Sequence, residues 1–248
     1  MEKLGTVQAF SVVTALVMLA LGPVQPVKAE GMEAENSEPS IVEIEDTFNE
    51  GEQGWTGAFA DFPHAVSALE LYDVRFSLET LPEEINPTKQ ALSLNGMNRS
   101  DDLFMYVKKP VQVKPNTQYK INFDFDIATN APPRRMGIGG APGESVFVKA
   151  GAVPYEPEPV VRDDYYRLNA DKGNQAKEGP DAINVGNLAK VASKDNSYQL
   201  KNLHNQSKPF YARSDSQGNL WLFIGTDSGF EGLTKIYISR IQATLIEQ

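Results

Sequence analysis

Four polar runs carry most of the side chains in this chain that are able to do chemistry, and each is wedged between apolar segments. They are Asn95-Gly96-Met97-Asn98-Arg99-Ser100-Asp101-Asp102, Gly143-Glu144-Ser145, Asn169-Ala170-Asp171-Lys172-Gly173-Asn174-Gln175 and Gly225-Thr226-Asp227-Ser228-Gly229-Phe230-Glu231-Gly232. Each combines glycine with carboxylates or amides, which is also what a solvated turn requires. Turn chemistry accounts for any one run. Four alike point instead to loops gathered at one end of a scaffold, forming the kind of polar cleft in which loop-borne function sits. On that reading the cleft is built from Asn98, Arg99, Asp102, Glu144, Lys149, Asp171, Lys172, Gln175, Asp227 and Glu231. Arg99 fixes orientation with its several donors, while the acids and amides complement hydroxyl groups.

Three kinds of chemistry fit this set. Asp102, Glu144, Asp171, Asp227 and Glu231 offer carboxylate pairs for glycoside hydrolysis, which needs two acids roughly 5–9.5 Å apart. Lys149 or Lys172 beside Arg99 would suit a lyase, as a base next to a cation that stabilises an enolate. Calcium takes carboxylate, amide and backbone oxygens, all abundant here, although the Asp-x-Asp-x-Asp-Gly spacing of an EF-hand loop is absent. A fourth reading is structural: the polar runs brace long loops through buried ion pairs.

Several chemistries are excluded. Gly137-Ile138-Gly139-Gly140-Ala141-Pro142-Gly143 lacks the Gly-Lys-Ser/Thr ending of a phosphate-binding loop and has proline where a helix would start. Gly143-Glu144-Ser145-Val146-Phe147 fails as a nucleophile elbow, because Phe147 stands where the closing glycine belongs. There is no cysteine, and the two histidines, His64 and His204, are too few for a three-histidine zinc site.

The 248 residues carry a formal net charge of −10, which disfavours nucleic acid and anionic lipid as partners. Lys3, the apolar residues 10–21 and the small-residue site Val27-Lys28-Ala29 read as an export signal cleaved near Ala29. The protein is therefore expected to be secreted, periplasmic or held in the cell envelope. No other segment approaches the ~20 apolar residues of a membrane span. Residues 30–40 read as a flexible acidic lead-in, and residues 41–248 as one domain.

The elements that must position the runs are strands. Tyr119, Ile121, Phe123, Phe125 and Ile127 share one face of residues 118–127, while Lys120, Asn122, Asp124 and Asp126 take the other. Further strands are expected at 42–48, 69–78, 91–95, 103–109, 145–149, 165–169, 210–213, 220–225 and 234–246. Residues 220–224 are apolar without alternation, as in a central strand covered on both faces. In the last strand Ile236 and Ile238 fall out of phase with Ile241, Ala243 and Leu245, which predicts a bulge near Ser239-Arg240. No segment sustains helical periodicity. The fold class is all-β, an antiparallel β-sandwich with long polar loops, which the resemblance given below implies to be of jelly-roll type, and the first strand should lie near the last. Trp55 is expected to plug the end of the sandwich, with an exposed sugar-stacking platform as the alternative, and Trp221 is expected in the core.

Asp46, Thr47, Phe48, Gly54 and Trp55, then residues 113–123, then Ile236-Tyr237-Ile238-Ser239-Arg240-Ile241 resemble the opening, middle and closing strands of galactose-binding-like jelly rolls, including many carbohydrate-binding modules. The four polar runs resemble those of a group of exported bacterial proteins. The first resemblance implies a binding protein that requires no cofactor and recognises a carbohydrate or small polar ligand. It also implies a structural calcium ion on Glu43, Glu45 and Asp46, although Ser239 and Arg240 stand where that family often places a closing aspartate. A polysaccharide hydrolase or lyase on the same scaffold and a structural envelope protein are the alternatives.

Overall fold

The computed structural model describes residues 38–100, 102–191 and 195–248. The export segment, most of the acidic lead-in and Asp101 lie outside the described residues. In chain order the elements are β1 (Ile41–Thr47), β2 (Thr56–Ala60), β3 (Phe62–Pro63), α1 (Val66–Tyr72), β4 (Arg75–Thr80), β5 (Gln90–Met97), β6 (Leu103–Gln112) and β7 (Gln118–Thr129). They continue with β8 (Val146–Val153), β9 (Pro159–Arg162), β10 (Tyr165–Leu168), β11 (Ala182–Asn187), β12 (Gln199–His204), β13 (Tyr211–Arg213), β14 (Asn219–Ser228) and β15 (Leu233–Glu247).

One sheet runs β4-β5-β15-β7-β12, with β1 beside β15 and β13 beside β7; the other runs β2-β6-β14-β8-β11. The orders β5-β15-β7-β12 and β6-β14-β8-β11 are those of a jelly roll: the chain crosses from sheet to sheet at almost every connection. Every long-range pairing is antiparallel, including β1 on β15, which brings the two ends of the domain together. Between the sheets, Leu92, Leu94, Val107, Ile121, Phe123, Phe125, Val148, Leu222, Ile224 and Ile241 form the main core.

The register of β15 against β7 shifts between Ile238 and Arg240. That single extra residue restores the phase, so Ile236, Ile238, Ile241, Ala243 and Leu245 all face the core. It also turns Arg240 outward, where it pairs with Asp124 and Asp126 of β7.

Two expectations are corrected here. Residues 69–78 are not one strand but the end of α1 followed by β4. Ala68 and Tyr72 are buried four residues apart while Leu69 and Leu71 face solvent, which is a helical stripe too short to show as periodicity. The helix stops at Asp73, which adopts the left-handed conformation (φ 46°). Trp221 is not in the inter-sheet core: it lies half-buried on the outer face of the five-stranded sheet, with the Lys108 ammonium 5.8 Å from its ring centre. Trp55 is a plug, 1% exposed, and its indole N–H donates to Asp46 Oδ2 at 2.8 Å.

The feature that shapes the site is residues 154–181, inserted between β8 and β11. They hold β9 and β10, which with β3 form a separate three-stranded sheet. This insertion covers the outer face of the five-stranded sheet. Leu168 and Ala170 pack on Phe104, Tyr106 and Phe223 in a second apolar cluster, and the Tyr106 hydroxyl donates to the Pro157 carbonyl. A sheet face that would otherwise meet water is thereby dry.

Candidate functional site

Asp227 sits on β14 directly between Phe104 of β6 and Phe147 of β8, and Gly225 stands one row along, between Tyr106 and Lys149. A carboxylate and an ammonium on an outer sheet face are ordinarily solvated. Under the insertion both Asp227 and Lys149 are 0% exposed. Burying a charge is costly unless partners are supplied, and the cover supplies them. Lys149 Nζ donates to the carbonyls of Lys172 and Lys177, which ties the loop to the sheet. Burial pushes the Lys149 ammonium below its usual range, despite the attraction of Asp227.

Lys172 turns inward from the same loop. Its Nζ lies 2.8 Å from Asp227 Oδ2, 3.0 Å from Asp61 Oδ2 and 4.9 Å from the centre of the Phe104 ring. Burial opposes its charge, but Asp227 and Asp61 outweigh that and raise its pKa. The backbone N–H of Gln175 donates to the same Asp227 Oδ2 at 2.8 Å. Asp61 reaches the cluster from the turn between β2 and β3, where it takes the left-handed conformation (φ 61°) that aspartate tolerates.

Arg167 of β10 bridges outward. Its Nη1 donates to Asp61 Oδ1 at 3.1 Å and Asp102 Oδ2 at 3.0 Å, and its guanidinium lies 4.5 Å from the Tyr165 ring centre. Asp102 precedes β6, and its Oδ1 is buried with no hydrogen-bond partner among the described residues. Burial, followed by the negative charge of Asp61, pushes its carboxyl up to about 6, against the pull of Lys172 and Arg167. One oxygen of each of Asp61, Asp102 and Asp227 lies within 4.8 Å of the others, a spacing that suits a hard cation. The Lys172 ammonium supplies the positive charge there. Outside this buried cluster opens a cleft of about 440 Å3, lined among others by Asp61, Asp102, Arg162, Arg167, Asn169 and Asn174.

The four runs do adjoin one another. Asn98 Nδ2 donates to the Ser228 and Phe230 carbonyls, the Gly229 N–H donates to the Ser145 carbonyl, and Lys172 meets Asp227. Within that end, however, the side chains divide. Asp102, Asp171 and Lys172 line the cleft, while Lys149, Asp227 and the Gln175 backbone form its buried base. Asn98 uses its amide to staple two runs together. Arg99 donates to the Leu71 carbonyl and so pins α1. Glu144 accepts from the Arg134 N–H in the 131–145 loop, and Glu231 is tied through its backbone N–H to Ile138. None of these four belongs to the cleft lining. The orienting role expected of Arg99 is open instead to Arg167.

Asp61 and Arg167 were not foreseeable as a pair, because they lie outside the runs and meet only through β3 and β10. The available signals were slight: a lone acid between Ala60 and Phe62, and a cation between Tyr166 and Leu168. Glu43, Glu45 and Asp46 do not converge as the resemblance implied. Strand alternation points Asp46 away from the two glutamates. Its Oδ2 is taken by Lys109 Nζ at 2.6 Å and the Trp55 indole.

No protein-family model matches the sequence, and no curated protein does. Among solved structures the chain is similar to a carbohydrate-binding module of the β-sandwich superfamily (10% identity, TM-score 0.38, covering 82% of this chain and 74% of that one). It is similar to a mannan-recognising carbohydrate-binding module (14% identity, TM-score 0.37, 83% and 98%) and to peanut lectin (9% identity, TM-score 0.42, 84% and 99%). The jelly-roll assignment rests on the strand orders of this chain, and the site rests on its own geometry.

Proposed function

We propose that this protein binds carbohydrate in the cleft bounded by Asp102, Arg167 and residues 169–174, and that it does so outside the cytoplasm. The observation that carries the reading is the pairing of Asp102 and Arg167 on the cleft wall. Asp102 presents a partly exposed carboxylate (21%) beside the Arg167 guanidinium (37%), a pure donor. A sugar hydroxyl is both donor and acceptor, so adjacent hydroxyls bridge such a pair. Asn169 and Asn174 add amide groups along the same wall. The expected result is measurable heat on titrating a panel of neutral and charged oligosaccharides, lost in Asp102→Ala. A flat titration across the whole panel would remove the proposal. N-terminal sequencing of the protein recovered from culture fractions tests export: a retained Met1 in the cytosolic fraction contradicts it.

The raised pKa of Asp102 favours one second reading, a polysaccharide hydrolase or lyase. A carboxyl that holds its proton up to about pH 6 has the character of a general acid. Release of reducing ends or of unsaturated sugars on incubation with polysaccharides distinguishes turnover from binding.

A further inference from the structure

We propose that Lys172 and Asp227 condense to form an intramolecular amide that fastens the cover loop to the sheet. The pair is placed for it. Lys172 Nζ lies 2.8 Å from Asp227 Oδ2, Lys172 is 5% exposed and Asp227 is 0% exposed, so water that would hydrolyse or dilute the encounter is kept out. The floor is aromatic, with Phe104 under the Lys172 ammonium and Tyr106 stacked on Phe104. Two reactants held in contact in a dry site gain the effective concentration of an intramolecular reaction.

The step balances without any outside reagent. The Lys172 ammonium, held charged by Asp227 and Asp61, first passes one proton to Asp61 Oδ2 and, as the free amine, then forms a bond to Asp227 Cγ and gives up a second proton. One Cγ–O bond breaks with its electron pair on oxygen, and that oxygen takes both protons and leaves as water. Asp61 is positioned to carry the protons, since its Oδ2 is 3.0 Å from the same Nζ. Asp102 stands next to it in the carboxylate trio and, by its raised pKa, holds a spare proton in mildly acidic solution. Asp227 Oδ2 accepts from the Gln175 N–H, which steadies the charge that grows on the oxygen retained by the amide. Asp227 Oδ1 has no hydrogen-bond partner among the described residues and is the oxygen free to depart.

The placement explains three further features. Lys149 spends a fully buried ammonium on the carbonyl of Lys172 itself, which fixes the reacting residue from behind. The product removes two buried charges from the base of the cleft, whose ionic burial is otherwise costly. The chain has no cysteine, so a disulfide is not available to hold the insertion down. The carbohydrate reading is independent of this bond, because the cleft wall of Asp102 and Arg167 is present with or without it.

The test is the intact mass of the full chain under denaturing conditions, against the mass calculated for its observed termini, followed by peptide mapping. The expected result is a deficit of one water molecule, a branched peptide joining the segments that contain Lys172 and Asp227, and no tryptic cleavage after Lys172. Lys172→Arg keeps a cation opposite Asp61 and Asp227 but has no nucleophilic amine, so it should fold and show the full mass. Asp61→Asn should slow the mass loss rather than abolish it. Full mass in the wild-type protein after prolonged incubation at pH 5 to 7 overturns the proposal. So does a water deficit that persists in Lys172→Arg or maps to another segment.

Discussion

Asp102→Asn is expected to stabilise the fold near neutral pH while it weakens the cleft. The native carboxyl is held up to about 6, against an ordinary value of 3.8 in the unfolded chain. A group whose folded pKa is raised binds its proton more tightly when folded, so its contribution to stability is full below pH 4 and falls as pH rises through the window from 4 to 6. Above 6 the loss levels off. The difference of about 2 pH units corresponds to about 3 kcal/mol at pH 7. An asparagine in the same place has no proton to lose and avoids that loss. The gap between variant and wild type should therefore be near zero below pH 4 and open to about 3 kcal/mol by pH 7. Urea unfolding of both proteins at pH 3.5, 5 and 7 reads the gap directly, and comparing the two cancels the titration of every other acid. A gap that does not change with pH, or a variant less stable at pH 7, would refute the account of Asp102 as an acid held against its preference.

Lys149→Met removes the donor that satisfies two buried carbonyls, at a cost of about 2–4 kcal/mol, with loss of protection of residues 170–178 in hydrogen exchange. Asp46→Ala leaves Lys109 and the Trp55 indole without their acceptor and should cost about 3 kcal/mol in chemical unfolding. Because Lys109 occupies Asp46, calcium or a chelator should leave the wild-type melting temperature unchanged; a calcium-dependent rise that is lost in Glu45→Gln would reinstate an ion on the first strand. Gly57→Ala places a Cβ 2.2 Å from Phe76 Cγ, between the sheets. It should destabilise by about 1–3 kcal/mol, seen as a lower thermal midpoint with an unchanged circular-dichroism band shape.

Scaffold and site differ in how much of each is legible in the residues. Alternation along residues 118–127 and the unbroken apolar run at 220–224 were enough to read β7 and the central β14, because burial on one face or two leaves a period in the residues themselves. The phase slip in the last strand even located the bulge at Ser239. What left no period was misread. The two-turn α1 shows just two buried positions among its described side chains, Ala68 and Tyr72, and the two-residue β3 pairs with β10 about a hundred positions along the chain; β10 itself was expected at 165–169.

The amino-acid sequence by itself determined an all-β sandwich, its core-facing residues and the gathering of glycine-rich polar runs in its loops, because those properties follow from local pattern and from what turns demand. Only the tertiary structure decided which charges meet. Asp61 and Lys172 are 111 positions apart in the chain, and Asp227 and Lys172 are 55 apart, yet all three share one dry pocket. The insertion at 154–181 converts an outer sheet face from solvent-exposed to buried, and it is this burial that perturbs Lys149 and Asp102. Dielectric surroundings belong to a fold and not to a residue, so the same carboxylate on an uncovered sheet would be an ordinary solvated acid.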